Sequence, residues 1–316
     1  MTSESLRLLY WPTSSASQKA WLALEEKQLK FKTTVINLLE GEQNEPWYLR
    51  INPAGQVPVL QVGDRFVAES DVIIDTVDKL NSGVGPQLVP DASTPEGKLV
   101  QYWRQKFSEV SFYHITYGTI INRDTLGVKI DLPPSYMFTK EDLAKKFDKT
   151  IQYLESQKPS NPDLVDVLDK KIKAVKGLAD FEALSAEKVE EAWKSLEKMF
   201  DEMETQLRKS RTENILEHWF CGPNFTACDI FLAMLFGRIS FLGYASRILN
   251  SEKRPAVAEY WAQLCRRPTV QKVVLNGKKA LIKYQVARKA KTVVLGTAAA
   301  AGVVALGLFL GIRYKS

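Results

Sequence analysis

The sequence predicts an α+β body in two folded parts, followed by a long basic tail that ends in one membrane-spanning helix. Three observations predict it. Over the first eighty or so residues, short apolar and β-branched runs alternate with stretches of helical periodicity. From residue 94 to residue 275 the pattern becomes helical and stays so. Residues 292–312 then carry no charged side chain at all.

The elements of the first part follow from local chemistry. Residues 6–10 (LRLLY) form a short apolar strand, and residues 15–27 form a helix with a serine-rich start. Residues 31–36 (FKTTVI) are β-branched and strand-like. Residues 58–62 and 65–68 pair as a hairpin across the turn Gly63-Asp64. Ser70 opens the next helix, with Asp71 near its positive end and the helix running to residue 80. The order β-α-β-α-β-β-α over residues 1–82, with Val57-Pro58 entering the third strand, is that of a thioredoxin-like domain.

Residues 94–275 predict an all-helical domain. Residues 99–117 are apolar and aromatic at helical spacing. Residues 185–208 form a long amphipathic helix whose stripe is Val189, Ala192, Leu196, Met199, Met203 and Leu207. That stripe suits the domain interior better than a coiled-coil partner. Thr226 and Asp229 have capping-box spacing, and residues 230–242 are almost wholly apolar, which places this helix at the domain centre. Helices at 256–265 and 269–275 follow, divided by Pro268. Between these elements, residues 122–184 form a charged insertion with Pro133-Pro134 and Pro159-Ser160-Asn161-Pro162 turns. Leu164, Val167, Leu168, Ile172 and Val175 keep a helical period within it, so it is partly helical. Pro133-Pro134-Ser135-Tyr136 also has the form of a WW-domain ligand, a four-residue match that chance readily supplies.

The charge reading separates body from tail. Of 43 lysines and arginines, eight lie in residues 276–316, beside no acidic residue. The other 35 face all 37 acidic residues in residues 1–275, a net −2 on the body against +6 overall. The basicity therefore argues for lipid phosphate and against nucleic acid as the partner. Residues 276–291 form a basic amphipathic segment suited to an anionic interface, or simply a positive flank to the span. Twenty helical residues rise about 30 Å, the thickness of a bilayer core. With residues 313–316 alone beyond it, the span predicts a tail anchor that leaves the body in the cytosol. Ala298/Gly302 and Gly307/Gly311 permit a homodimer through the tail, although an alanine-rich span carries such spacing by composition.

Several chemistries are excluded or disfavoured. His114 and His218 are the only histidines, and no His/Cys cluster has zinc-ligand spacing, so no metal is expected. Cys221, Cys228 and Cys265 fit a reducing compartment, and Cys228 inside the capping box reads as a buried structural thiol. No glycine-rich phosphate loop is present, which excludes a P-loop motor.

The runs SSASQK, NEPWYLRINPAGQVPVL and AESDVI resemble the N-terminal half of a glutathione transferase, and FCGPNFTACDIFLA resembles its C-terminal helical core. With the insertion, Lys253–Pro255, the basic segment and the anchor, the whole plan resembles the ganglioside-induced differentiation-associated protein 1 family. The resemblance implies a glutathione-transferase-like protein of the mitochondrial outer membrane that acts on network dynamics and fission, with peroxisomes a second site. It also implies fission or cytoskeletal partners for the insertion. Two alternatives stand beside it: a glutathione transferase acting on lipophilic electrophiles, and a metaxin-like import or adaptor component, against which the insertion and the NEPW run argue.

Against theta-like transferases, Ser15 falls where a catalytic serine opens the first helix, so its hydroxyl and the helix amides would stabilise a glutathione thiolate. Val57-Pro58 matches the transferase cis-proline that turns its backbone toward glutathione's cysteine. Glu69-Ser70 matches the pair that holds the γ-glutamyl group. Each position also serves the fold: serines cap helices, and the proline shapes the thioredoxin loop. Glutathione is thus the one small ligand expected, with no other cofactor.

Overall fold

A computed structural model describes residues 5–80, 83–130, 137–211, 218–250 and 252–277, with Lys279, Ile282, Tyr284 and Val286 beyond them. The proposed membrane span and the Pro133-Pro134-Ser135-Tyr136 turn lie outside the described residues. No described helix is long and apolar enough to cross a membrane.

The first part is a four-stranded mixed sheet of order β2-β1-β3-β4. Its strands are β1 (Leu6–Tyr10), β2 (Phe31–Val35), β3 (Val59–Val62) and β4 (Arg65–Ala68). β1 runs parallel to β2 and antiparallel to β3, which turns back on β4 through Gly63. A period of two sorts the side chains. Leu6, Leu8, Tyr10, Leu60 and Val62 enter the main core, whereas Leu9 and Val59 pack on the opposite face with Trp11, Ile36, Tyr48 and Val57. Helices α1 (Ser15–Glu26) and α3 (Ser70–Leu80) cover the main-core face, and Tyr48 of α2 (Pro46–Ile51) packs into the cluster on the other.

The second part begins with α4 (Pro95–Ser108), followed by a wide-turn segment at Tyr113–Gly118 and the short α5 (Thr119–Ile121). The insertion is then helical: α6 (Lys140–Gln157) and α7 (Val165–Leu178) form a hairpin through two short 3-10 turns. Thr139 and Asp142 cap α6 reciprocally. This hairpin packs on the sheet domain. Leu154, Leu164, Leu168 and Ile172 form a separate apolar cluster with Leu49 of α2, and the Arg50 guanidinium donates to both Asp163 carboxylate oxygens at 2.9 and 3.0 Å.

The long α8 (Ala186–Arg211) buries Val189, Trp193, Leu196, Phe200, Met203 and Leu207, so its stripe is core and not a coiled-coil seam. α9 (Ala227–Phe241) is buried on every side except at its last residues and is the centre of the domain. Its capping box forms as expected. Asp229 accepts from Thr226 N at 2.6 Å and from the Thr226 hydroxyl at 2.9 Å, and it also takes the Phe220 amide and the Tyr260 hydroxyl. α10 (Ala245–Ile248), α11 (Pro255–Arg266) and α12 (Pro268–Val270) complete the domain. Gly237 is required where α9 meets the segment after α12, since a Cβ there would lie 2.3 Å from Val274 Cγ1. The two parts are joined by ion pairs as well as apolar contact: Arg267 clamps Glu26 of α1 with 2.6 and 2.5 Å bonds.

Candidate functional site

The strand register gathers the candidate residues on one edge of the sheet. Leu9 pairs with Val59, and Val59 pairs with Ala68. The loop carrying Ser15 leaves β1 here, Pro58 enters β3 here, and Glu69-Ser70 follow β4 here. Tyr10 also pairs with Val35, so the loop after β2 starts from the same edge.

Ser15 is the first residue of α1, and Ser14 is its cap, accepting from Ser17 N at 3.3 Å. The Ser15 hydroxyl has a partner that sequence reasoning missed. Arg238 of α9 donates to Ser15 Oγ from Nε at 3.1 Å and from Nη2 at 2.9 Å, and to the Thr13 carbonyl from Nη2 at 2.6 Å. A guanidinium only donates, and a serine oxygen has two acceptor positions. Both are therefore taken, and the hydroxyl proton is left to donate outward, with a positive charge held directly behind it. The signal for Arg238 was present: it is the only charged residue in the apolar run 230–242.

The Val57-Pro58 bond is cis. The loop before it is held from both sides. Tyr48 Oη and Asn52 Nδ2 donate to the Gln56 carbonyl at 2.6 and 2.8 Å. From the insertion, Lys171 of α7 donates to the carbonyls of Ala54 at 2.5 Å and Gly55 at 3.0 Å. Burial pushes the Lys171 pKa down to about 8. Gly55 has φ +56, and a Cβ would meet Gln43 O at 2.8 Å, so the loop admits only glycine here.

Glu69 adopts φ 65, a left-handed conformation that a non-glycine residue takes up at a cost. It is exposed, and Ser70 beside it is buried at the start of α3. All five sequence-predicted positions thus share one sheet edge, and the αL turn points Glu69 to solvent next to it.

Beyond Ser15 lies an aromatic row. Tyr113 and Tyr117 have centroids 5.6 Å apart, and Tyr117 and Phe138 5.7 Å. Although Tyr117 is 40% exposed, desolvation of its hydroxyl raises its pKa and the Arg238 charge opposes that rise. On the other side, Tyr284 of the basic segment meets Trp11 edge-on at 5.8 Å. The Cys221 thiol is pushed up by its hydrogen bond to Cys228 and by burial, so it is no nucleophile. Among the described residues, no group of three His, Cys, Asp or Glu side chains is placed to hold a metal ion.

Comparison with known proteins agrees with this fold. Residues 13–80 match the glutathione S-transferase N-terminal domain family and residues 186–262 the glutathione S-transferase C-terminal domain family. The mouse ganglioside-induced differentiation-associated protein 1-like 1 is 27% identical over 279 residues, covering 86% of this chain and 74% of that protein. The Arabidopsis thaliana glutathione S-transferase TCHQD is 26% identical over 275 residues, covering 85% and 89%. Among solved structures, glutathione transferase F7 from Populus trichocarpa superposes with TM-score 0.57 at 19% identity, over 86% of this chain and 99% of that one. Neither family model covers residues 81–185, where the helical hairpin is inserted. The chain is thus glutathione-transferase-like in both of its domains, and over most of its length it is similar to ganglioside-induced differentiation-associated protein 1-like 1.

Proposed function

We propose that the body binds glutathione along the shared sheet edge and holds its sulfur as a thiolate for transfer to a lipophilic electrophile. One observation carries this reading: the Ser15 hydroxyl accepts both available bonds from the buried Arg238 guanidinium, beside the cis Val57-Pro58 bond. The thiol proton leaves to solvent, and the Ser15 O–H and the Arg238 charge stabilise the sulfur that remains. The thiolate then attacks the electrophilic carbon, a C–S bond forms, and the leaving group departs with its electron pair. The backbone of Val57 pairs with the cysteine of glutathione, and Glu69 and Ser70 hold the γ-glutamyl end. The row Tyr113–Tyr117–Phe138 offers an apolar face for the second substrate. Titration calorimetry with glutathione tests the reading. Binding weakened by Ser15→Ala and by Ser70→Ala supports it, and no heat at millimolar ligand sinks it.

A second reading concerns place and role. The family resemblance carries the proposal that this body is tethered to the mitochondrial outer membrane and regulates network dynamics. The basic segment supports it, since Tyr284 packs on Trp11 and Gly277 lies against Gln18 and Pro12, so the chain runs toward its tail from the site side of the body. A lipophilic electrophile in the bilayer would then be close to the site. The insertion would be the surface that meets fission partners. Deleting residues 293–316 from a fluorescent fusion should release it to the cytosol; retention on mitochondria refutes the tether.

A further inference from the structure

The insertion hairpin and the sheet domain enclose a cleft of about 500 Å³. One wall is the loop after β2, with Leu39, Glu40 and Asn44, and the other is α6, with Lys145, Lys146 and Lys149. The three lysines lie at i, i+1 and i+4, with Lys145 and Lys149 one turn apart on the same face. Lys146 Nζ has one bond, to Leu38 O at 3.4 Å. Lys145 and Lys149 form no ion pair among the described residues.

The acidic groups beside them are already engaged. Asp142 is closed in the α6 capping box, Glu45 takes the Tyr153 hydroxyl, and Glu40 has an interaction of its own. One polar group in the wall is an orphan: Asn44 is 4% exposed, and its Oδ1 is buried without a hydrogen-bond partner. Buried amide oxygens are ordinarily paired with a donor, which this one lacks. Ammoniums without a carboxylate partner describe a site that lacks its anion.

The sheet order identifies the anion. Across the edge the strands run β4, β3, β1, β2, about 4.8 Å apart. On the glutathione reading, the γ-glutamyl end sits after β4 at Ser70, and the cysteine sits between Pro58 and Ser15 at the middle strands. An extended tripeptide spans about 10 Å. Its third residue therefore falls toward β2, where the next loop is the one that walls the cleft. Leu39 of that loop packs in the same apolar cluster as Val57 and Trp11.

We infer that α6 of the insertion completes the glutathione site, with Lys146 and Lys149, supported by Lys145, receiving the glycyl carboxylate. The inference rests on the glutathione-binding reading above and gives the insertion a place in the ligand site. Sheet-domain residues on this side offer only Glu40 and Glu45 as charges in the cleft, so the cations must come from α6.

Calorimetry on the full chain in detergent, with three ligands, tests it. Glutathione should bind about tenfold more tightly than γ-glutamylcysteine, which lacks glycine, and than the glycyl ethyl ester, whose carboxylate is masked. The Lys146→Met/Lys149→Met variant should lose that difference while keeping the wild-type affinity for γ-glutamylcysteine. Lys173→Met, on an exposed face of the hairpin, should retain it. Glutathione bound no better than its ethyl ester by the wild-type chain overturns the inference without recourse to any variant. A preference that survives in the double variant overturns it too, with the glutathione reading left standing. No binding of any of the three ligands defeats both.

Discussion

Replacing Arg238 by methionine isolates the charge behind Ser15. Methionine keeps most of the length and apolar bulk that α9 packs, but removes the guanidinium. A thiolate accepting from Ser15 Oγ lies about 3.3 Å from that oxygen, and Arg238 Nη2 is 2.9 Å behind it. The sulfur and the positive charge are then separated by about 5 Å. At an effective dielectric near 20, their attraction is about 3 kcal/mol, or about 2 pKa units on the thiol. Solvent at the open side of the site screens some of this, so a rise of about 1 to 2 units in the variant is expected. The assay is a pH titration of the thiolate ultraviolet absorbance of bound glutathione in the wild-type chain and in Arg238→Met. The variant also leaves the Thr13 carbonyl without its 2.6 Å donor, which costs stability of about 1–3 kcal/mol. Thermal unfolding measured alongside separates that loss from the pKa effect. An unchanged thiol pKa in a folded variant that still binds glutathione would refute the electrostatic role of Arg238.

Three further outcomes follow from other parts of the molecule. Lys171 titrates near 8 when folded but near 10.4 when unfolded, so the unfolded chain binds more protons between these values and stability rises with pH across that window. Discounted for partial exposure, the gain is about 1–2 kcal/mol, and denaturant unfolding at pH 8 and 10 should show it in the wild type and not in Lys171→Met. Leu168→Ala empties a fully buried position between α7 and α2 and should cost about 2–4 kcal/mol, seen as faster proteolysis within residues 158–178 before the rest of the body is cut. Asp229→Ala strips the acceptor from the Phe220 and Thr226 amides and the Tyr260 hydroxyl, and should lower stability by about 3–5 kcal/mol in chemical denaturation; a loss under 1 kcal/mol would show the box to be dispensable.

What was legible in the sequence was local. The hairpin at Gly63, the start of α3 at Ser70 and the capping box at Thr226–Asp229 each follow from spacing within one element and stand where expected, whereas the buried face of α8 is turned by one residue at two places, Trp193 and Phe200 being buried beside the half-buried Ala192 and Met199. The cis-proline and Ser15 were legible because their positions are fixed by the strand they adjoin. The insertion shows the limit. Its helical period could be read, but its docking depends on Leu49 meeting Leu168 and on Arg50 meeting Asp163, pairs more than a hundred residues apart. Periodicity identifies an apolar face without naming what covers it. Arg238 was hidden for the opposite reason. A single charge in an apolar run reads as an exception within a core helix until a partner from another domain gives it a direction.

Arg238 also separates site from scaffold. Ser14 caps α1 with or without a ligand, Pro58 shapes its loop, and Ser70 opens α3, so none of these positions distinguishes a binding site from a retained fold. Asp229 closes the start of α9, but the fold asks for no charge two turns further on. The buried residues just before Arg238 are apolar, and a guanidinium left 9% exposed beside them carries a desolvation cost that a leucine would avoid. That cost is offset in part by bonds to the loop before α1, where both Nε and Nη2 converge on the Ser15 hydroxyl. A strut between domains would be served by the Thr13 carbonyl alone. Convergence on Ser15 orients a hydroxyl proton and places positive charge behind it, and this is the arrangement that a developing thiolate needs.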